Sequence, residues 1–379
     1  MLSKELTLRK RILNTFEYKK INRIVFSPRL YYWYLGNKLH LKLSANKRHF
    51  ANIPSHYLGK TQYEIYTHLG ASPRYVFETF YFPLYRENIK SKTEIFIREQ
   101  KGAKPSEIVT SYRTPIGNLR KITNNGHIIE YPIKSLNDIK IMKYILNNTK
   151  FQFLDRNYKK AEELLGNNGI PCTFFPRSPY MRLIVDYMGF SKTIIFLKKF
   201  PSQIENFMKF IEEWDNDMYE NLANSPLKIV NFGENIDSNL SPPPYFEKYL
   251  LPYYKKRVKQ FHDARKFCHI HIDGSIKDLL PYLSDLPFDG LEALTAKPQG
   301  DVSLEEIKDS IGDKILLDGV PSILFLHQYS IKFVRDYTQK VLDLFSPNLI
   351  LGVSDELSPN GDITKIEMIT DVINSFEVS

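Results

Sequence analysis

Thiol chemistry is almost absent from this sequence. Its two cysteines, Cys172 and Cys268, stand far apart with no CxxC spacing, which signals neither a disulfide framework nor a thiolate zinc site. A reducing cytoplasm is the expected compartment. No run of about 18 apolar residues occurs, and MLSKELTLRKRILNTF lacks the unbroken apolar stretch of a signal peptide, so a soluble, unexported chain is predicted. No GxGxxG follows an early strand, which removes the dinucleotide fingerprint. Nucleic-acid patterns of the RNP, zinc-finger and helix-turn-helix kinds are missing as well, and the Lys and Arg residues are scattered. The net charge of +9 therefore favours an anionic small molecule or an acidic protein over nucleic acid or a membrane.

What remains is the composition of a folded protein: 42% hydrophobic, 25% charged and 13% aromatic. With 379 residues the chain exceeds the roughly 250 of a typical (β/α)8 barrel, leaving room for one elaborated domain or two.

The most informative stretch is KFCHIHIDG, residues 266–274. Cys268, Ile270 and Ile272 alternate with His269, His271 and Asp273, so a β-strand here carries an apolar face and a face of metal-competent or acid/base groups. The plainer reading makes one histidine a solvated or packed side chain and Asp273 a helix cap before Gly274 and Ser275.

Along the chain, residues 3–16 have helical periodicity, and Arg23–Phe26 form a short strand stopped by Ser27 and Pro28. TEIFIRE, EIVTSYR, GNLRKIT and HIIEYPI, within 93–133, are β-prone runs parted by turn chemistry such as Asn125-Gly126. They predict an inserted antiparallel meander that covers one end of the main domain. Helices are expected at 135–147, at 156–166 and at 202–223, the last opened by Ser202 and Glu205 as a capping box.

Beyond that, strands and helices alternate to a final helix at 363–376. The strands fall in PCTFFPRSPY, LKIVNFGENI, KFCHIHIDG, FDGLEAL, DKILLDGVPS and PNLILGVSDE. This alternation predicts a single α/β domain over 1–379, a (β/α)8 TIM barrel with the meander inserted, over a doubly wound sheet.

In such a barrel the C-terminal strand ends open at one mouth, where ligand contacts gather. Glu234, Asp237 and Asp318 are the candidate catalytic acids and bases there. Arg29, Trp33, Arg177, Tyr180 and Lys297 are the candidate substrate-binding residues. His271, with Asp273 or Asp355, and Glu292 from the next strand supply enough N and O atoms for a divalent metal. Ordinary pairing, such as Lys297 with Glu234, competes for the same charges, and Tyr31, Tyr32 and Trp33 form either a wall for a flat ligand or simple core.

Taken together, GENIDSNLSPPPYFEKYLLPYYKK, HIHIDG, GLEALTAKPQGDVSLEEIKDSIGDKILLDGVPS and GVSDELSPNGD resemble the uroporphyrinogen decarboxylase superfamily. That superfamily also includes zinc methyltransferases acting with methylcorrinoid proteins. FSPRLYYWY and TSYRTPIGNL resemble a branch related to the corrinoid-dependent methyltransferases, so the likeness runs from about residue 10 to 376.

The resemblance implies a (β/α)8 barrel and competing chemistries. In the decarboxylases an Arg-rich segment after the first strand grips carboxylates, an Asp steers the pyrroles, and a Tyr and a late His assist. Here SPRLYYWY keeps Arg29 alone, and Ser354 and Asp355 stand where that His falls. In the methyltransferases an HxC pair, an acid on the next strand and a late Cys hold zinc. His271 matches the His and Glu292 the acid, while Asp273 and Ser354 replace the thiols, which makes a harder site for zinc or another divalent metal.

The leading expectation is metal-assisted methyl transfer or demethylation on an anionic or methylated small molecule, with a corrinoid carried by a partner protein. One alternative is decarboxylation of uroporphyrinogen or a related polycarboxylate tetrapyrrole, with Arg29, Arg177 and Lys297 as clamps and Asp237 or Asp318 on the pyrrole N–H groups. The other is a non-catalytic tetrapyrrole or corrinoid binder.

Overall fold

A computed structural model describes residues 5–41, 50–89, 95–102, 104 and 106–378. Residues 3 and 4 of the expected first helix and 93, 94, 103 and 105 of the expected meander lie outside them. The chain divides into two compact units: Met1–Leu84 with Asp155–Phe175 and Leu227–Ser379, and Tyr85–Leu154 with Pro176–Pro226.

The strands, numbered along the chain, are β1 (Val25–Phe26), β2 (Tyr85–Ile89), β3 (Phe96–Lys101), β4 (Glu107–Thr114), β5 (Gly117–Asn124), β6 (His127–Glu130) and β7 (Thr149–Phe153). They continue with β8 (Phe174–Phe175), β9 (Ile229–Ile236), β10 (Phe267–Ile272), β11 (Gly290–Glu292), β12 (Ile315–Pro321) and β13 (Leu349–Ser354).

In the first unit a seven-stranded parallel sheet runs in the order β1-β13-β12-β11-β10-β9-β8. Its two edge strands are bridged by the extended segment 71–75. The Ser72 amide donates to the Phe26 carbonyl at 2.8 Å, and the Val76 amide donates to the Cys172 carbonyl at 3.1 Å. That segment occupies the eighth position and closes a (β/α)8 barrel. Its strands read as continuous apolar runs because both faces are covered; β12 and β13 are buried at every residue.

Helices take their starts from side-chain caps. Ser303 and Glu306 form a capping box on Leu304–Ile311, Ser330 caps Ile331–Phe345, and Asp362 caps Ile363–Ser375. The first helix is Leu8–Phe16 and not 3–16, because Thr7 takes the N-cap and accepts the Lys10 amide. Its Ile12 and Phe16 enter a core at the N-terminal strand ends with Val25, Ile229, Ile315 and Ile350. Each such side chain contributes about 1.5–3 kcal/mol by burial.

In the second unit β3, β4, β5 and β6 form the expected antiparallel meander, and β2 pairs antiparallel with β7. The β5–β6 hairpin turns on Asn125 and Gly126, both at positive φ, the conformation that this pair adopts most readily. The long helix spans Pro201–Ala223, so Ser202 lies inside its first turn; the N-cap is Phe200, and Pro201 is tolerated at the first helical position. A buried ion pair, Arg182 to Asp215 at 3.0 Å, ties this helix to Pro179–Arg182. Among the described residues no helix is long and apolar enough to cross a membrane.

Candidate functional site in the barrel mouth

Segment 71–75 does more than close the barrel. It carries Arg74, whose Nη1 donates to Glu292 Oε1 at 2.8 Å and to Asp318 Oδ1 at 2.6 Å, while Nη2 holds the Ser27 carbonyl at 2.8 Å. Tyr75, beside it, donates its hydroxyl to Glu292 Oε1 at 2.6 Å. The other Glu292 oxygen faces Asn231 Nδ2 at 2.8 Å and His271 Nδ1 at 3.1 Å. Glu292 is thus completely buried and bonded at both oxygens. Burial alone raises a carboxyl, but the His271 hydrogen bond and the Arg74 charge bring this one well below the ordinary range.

This arrangement sets the histidine tautomers. Because the Tyr75 hydroxyl gives its proton to Glu292, its oxygen accepts from His269 Nε2 at 3.2 Å. His269 is buried and its Nδ1 lacks a partner among the described residues. Desolvation lowers it to about 4, so it is a neutral packed residue. His271 is its counterpart two residues on. Burial opposes its protonation, but Glu292 and Asp355 outweigh this and raise its pKa. With Nδ1 turned to Glu292, Nε2 faces Asp355 Oδ1 at 3.4 Å.

A second layer surrounds Arg29 after β1. Its guanidinium meets Glu78 at 2.6 Å, Asp355 at 2.8 Å and Glu356 at 2.7 Å, and lies 5.2 Å from the ring centres of both Tyr75 and Phe174. Desolvation raises the Glu356 carboxyl to about 8. Desolvation likewise raises Asp318 to about 7, and its Oδ2 has no partner among the described residues. Asp318 sits at φ 92°, and a Cβ on Gly352 would fall 2.5 Å from its Oδ1, so the glycine makes room for the carboxyl.

Of the expected metal ligands, His271, Asp273 and Asp355 converge, with one ligand atom from each lying within 4.8 Å of the others. Asp273 is raised by desolvation and then by the Asp355 charge, the sign of two carboxyls crowded at one place. Glu292 belongs behind this group, on the Nδ1 side of His271, where a carboxylate fixes ring orientation and tautomer.

The remaining candidates divide. Arg29 and Asp318 are in the mouth; Glu234 is fully buried on β9. Asp237 ties loops, accepting the Asn239 amide at 2.6 Å and the Ser275 amide at 3.1 Å, so its carboxylate is a loop brace and not a free base. Trp33 is a correction: it is wholly buried, gives its indole N–H to the Gly361 carbonyl at 3.1 Å and packs edge-on against Tyr57, so it is core and not a ligand wall. Lys297 is exposed on the loop after β11, its carbonyl taking the Tyr337 hydroxyl. Arg177 and Tyr180 belong to the second unit, Arg177 facing Asp186 at 3.6 Å and Tyr180 buried at the start of a short helix.

The largest omission of the sequence reading is Arg74 with Tyr75, Glu78 and Asn231. A signal for it exists: the Ser27-Pro28-Arg29 that follows β1 recurs as Ser72-Pro73-Arg74.

The profile described as "Uroporphyrinogen decarboxylase (URO-D)" matches residues 119–376, more than half of the chain. The chain belongs to the uroporphyrinogen decarboxylase family. No curated protein matches it in sequence. Among solved structures, a methyltransferase from Methanosarcina mazei aligns over 98% of this chain and 99% of its own, with a TM-score of 0.57 at 12% identity, a likeness of fold. A B12-independent methionine synthase from Shewanella sp. W3-18-1 aligns over 92% and 96% at 10% identity, with a TM-score of 0.44. Within the uroporphyrinogen decarboxylase family this chain therefore presents an acid-rich mouth, and its N, O, O donor set suits a hard or borderline divalent ion better than a soft one.

Proposed function

We propose that this barrel is an enzyme that moves a methyl group, using a divalent metal held by His271, Asp273 and Asp355. The observation that carries the reading is the convergence of those ligand atoms at the strand ends, with Glu292 orienting His271 from behind. When a methyl group leaves oxygen or nitrogen, the bonding pair stays on the heteroatom and negative charge develops there. A bound zinc-class ion supplies the compensating positive charge.

The chain's own residues supply the rest. Glu292 keeps Nε2 of His271 turned to the mouth, Arg74 holds Glu292 and Asp318 in place, and Asp318 Oδ2 offers a proton near neutral pH. The resemblance of FSPRLYYWY and TSYRTPIGNL to a branch related to the corrinoid-dependent methyltransferases supports a corrinoid-bearing partner as methyl acceptor or donor.

Charge separates this reading from decarboxylation of a polycarboxylate tetrapyrrole. Such a substrate needs free cations, and Arg29 is already shared among Glu78, Asp355 and Glu356. Glu78 and Asp355 on Arg29, and Glu292 on Arg74, already engage both guanidiniums, while Glu356, raised to about 8, keeps its proton, so neither arginine is left over for a substrate carboxylate. The test is metal content of the purified chain beside His271→Ala. The variant is expected to bind one equivalent of metal less than the parent and to lose methyl transfer from a methylcorrinoid or methylated substrate. Full metal content in the variant, or uroporphyrinogen turnover that depends on Arg29, would overturn the proposal.

A further inference from the structure

A second group of metal-competent side chains lies outside the mouth, and nothing in the barrel chemistry uses it. His56 sits on the short 3-10 turn Ser55–Tyr57, His68 is the last residue of helix Gln62–His68, and Glu367 comes from helix Ile363–Ser375. One ligand atom from each lies within 4.8 Å of the others. We infer that His56, His68 and Glu367 form a second divalent-metal site of the zinc class, which clips these elements together on the outside of the barrel.

The geometry supports a ligand set beyond a chance encounter. His56 Nε2 and Glu367 Oε1 are 2.8 Å apart, and the two imidazole rings are 5.1 Å apart. Two imidazoles and a carboxylate are the donors that zinc takes in open tetrahedral sites, and both histidines are exposed enough for an ion and its water to enter. Glu367 also has the outer partner that a metal-bound carboxylate needs: Tyr57, fully buried, donates its hydroxyl to Oε1 at 2.7 Å. That hydroxyl is fixed in turn by the edge-on packing of Tyr57 against Trp33. His68 is anchored by position as well as by ring contact, because the helix ends there and the chain turns into segment 71–75. A filled site would fasten the chain leading into the eighth barrel position to the terminal helix.

The experiment uses the full chain carrying His271→Ala, so that the mouth is removed from the count, and titrates Zn2+ alone by calorimetry while following thermal unfolding. The expected result is one remaining equivalent of zinc and a melting temperature that rises with zinc concentration. Adding His56→Ala or His68→Ala weakens that affinity by at least tenfold and abolishes the zinc-dependent rise. Since both residues are exposed, the variants should melt like their parent without zinc, and that control shows they are folded. The same zinc stoichiometry in the variants, or zinc bound with no effect on melting, would overturn the site. Failure here leaves His271→Ala in an otherwise unaltered chain as a separate test of the mouth.

Discussion

The same strands build two opposite environments at the two ends of this barrel. At their N-terminal ends Ile12, Phe16, Val25, Ile229, Ile315 and Ile350 pack into one apolar core. At their C-terminal ends Arg29 and Arg74 are set among more carboxyls than they can neutralise. The change takes one pleat. On β10, His269 and His271 share a face, yet burial drives the first down to about 4 while Glu292 and Asp355 push the second up. On β12, Leu317 belongs to the apolar core and the next residue, Asp318, to the ionic layer. Stability and chemistry are therefore set by depth in the barrel and not by which strand a residue is on.

The sharpest way to break this contrast is Arg74→Leu. It leaves Glu292 and Asp318 buried without their shared cation, which costs about 3–5 kcal/mol. Urea unfolding should show that loss, and a change below about 1 kcal/mol would mean the ionic layer rearranges freely.

Phe16→Ala attacks the other end. Removing a ring that packs on Phe267 and His269 should cost about 3–5 kcal/mol. Metal bound per folded molecule should stay as in the parent; a parallel loss would show that the two ends are coupled. A smaller effect is expected of Glu292→Gln, which keeps the volume but weakens the hold on His271 Nδ1. Metal affinity at the mouth should fall about 10- to 100-fold, read by competition with a chelating dye, and unchanged affinity would remove Glu292 from its supporting role.

The last signal is in pH. Asp318 is raised from 3.8 to about 7, so between those values the folded state holds a proton that the unfolded state has released. Its share of stability therefore falls as pH rises through that window, and Asp318→Asn should flatten this part of the stability profile. A steeper decline in the variant would show the sign to be wrong.

Much of the barrel was legible because strands and helices alternate from β8 onward, with β12 and β13 mostly apolar on both faces, so the polar residues at 234, 271, 292, 318 and 355 stand out at or near the strand ends. Segment 71–75 was not legible by the same rule. It is short, holds Pro73 and Arg74, and forms no ladder, so neither strand propensity nor periodicity marks it. The pairing of Arg29 was hidden for a different reason: a sequence shows a cation after a strand but not that Glu78 and Glu356, far apart in the chain, will reach it first. Glu292 looked like a ligand because its strand adjoins that of His271; only the donors from Arg74, Tyr75 and Asn231 show that its oxygens are already engaged.

Segment 71–75 has a mechanical meaning too. It stands between β1 and β8, the shortest strands of the sheet at two residues each, so the cylinder's wall has its fewest backbone rungs on that side. Arg74 spans the lumen from this seam to β11 and β12, and its charge does the work of a strut where hoops are missing. The wall is closed by the very groups that line its mouth, so any lineage that re-tools this mouth must also find a new way to keep the seam shut.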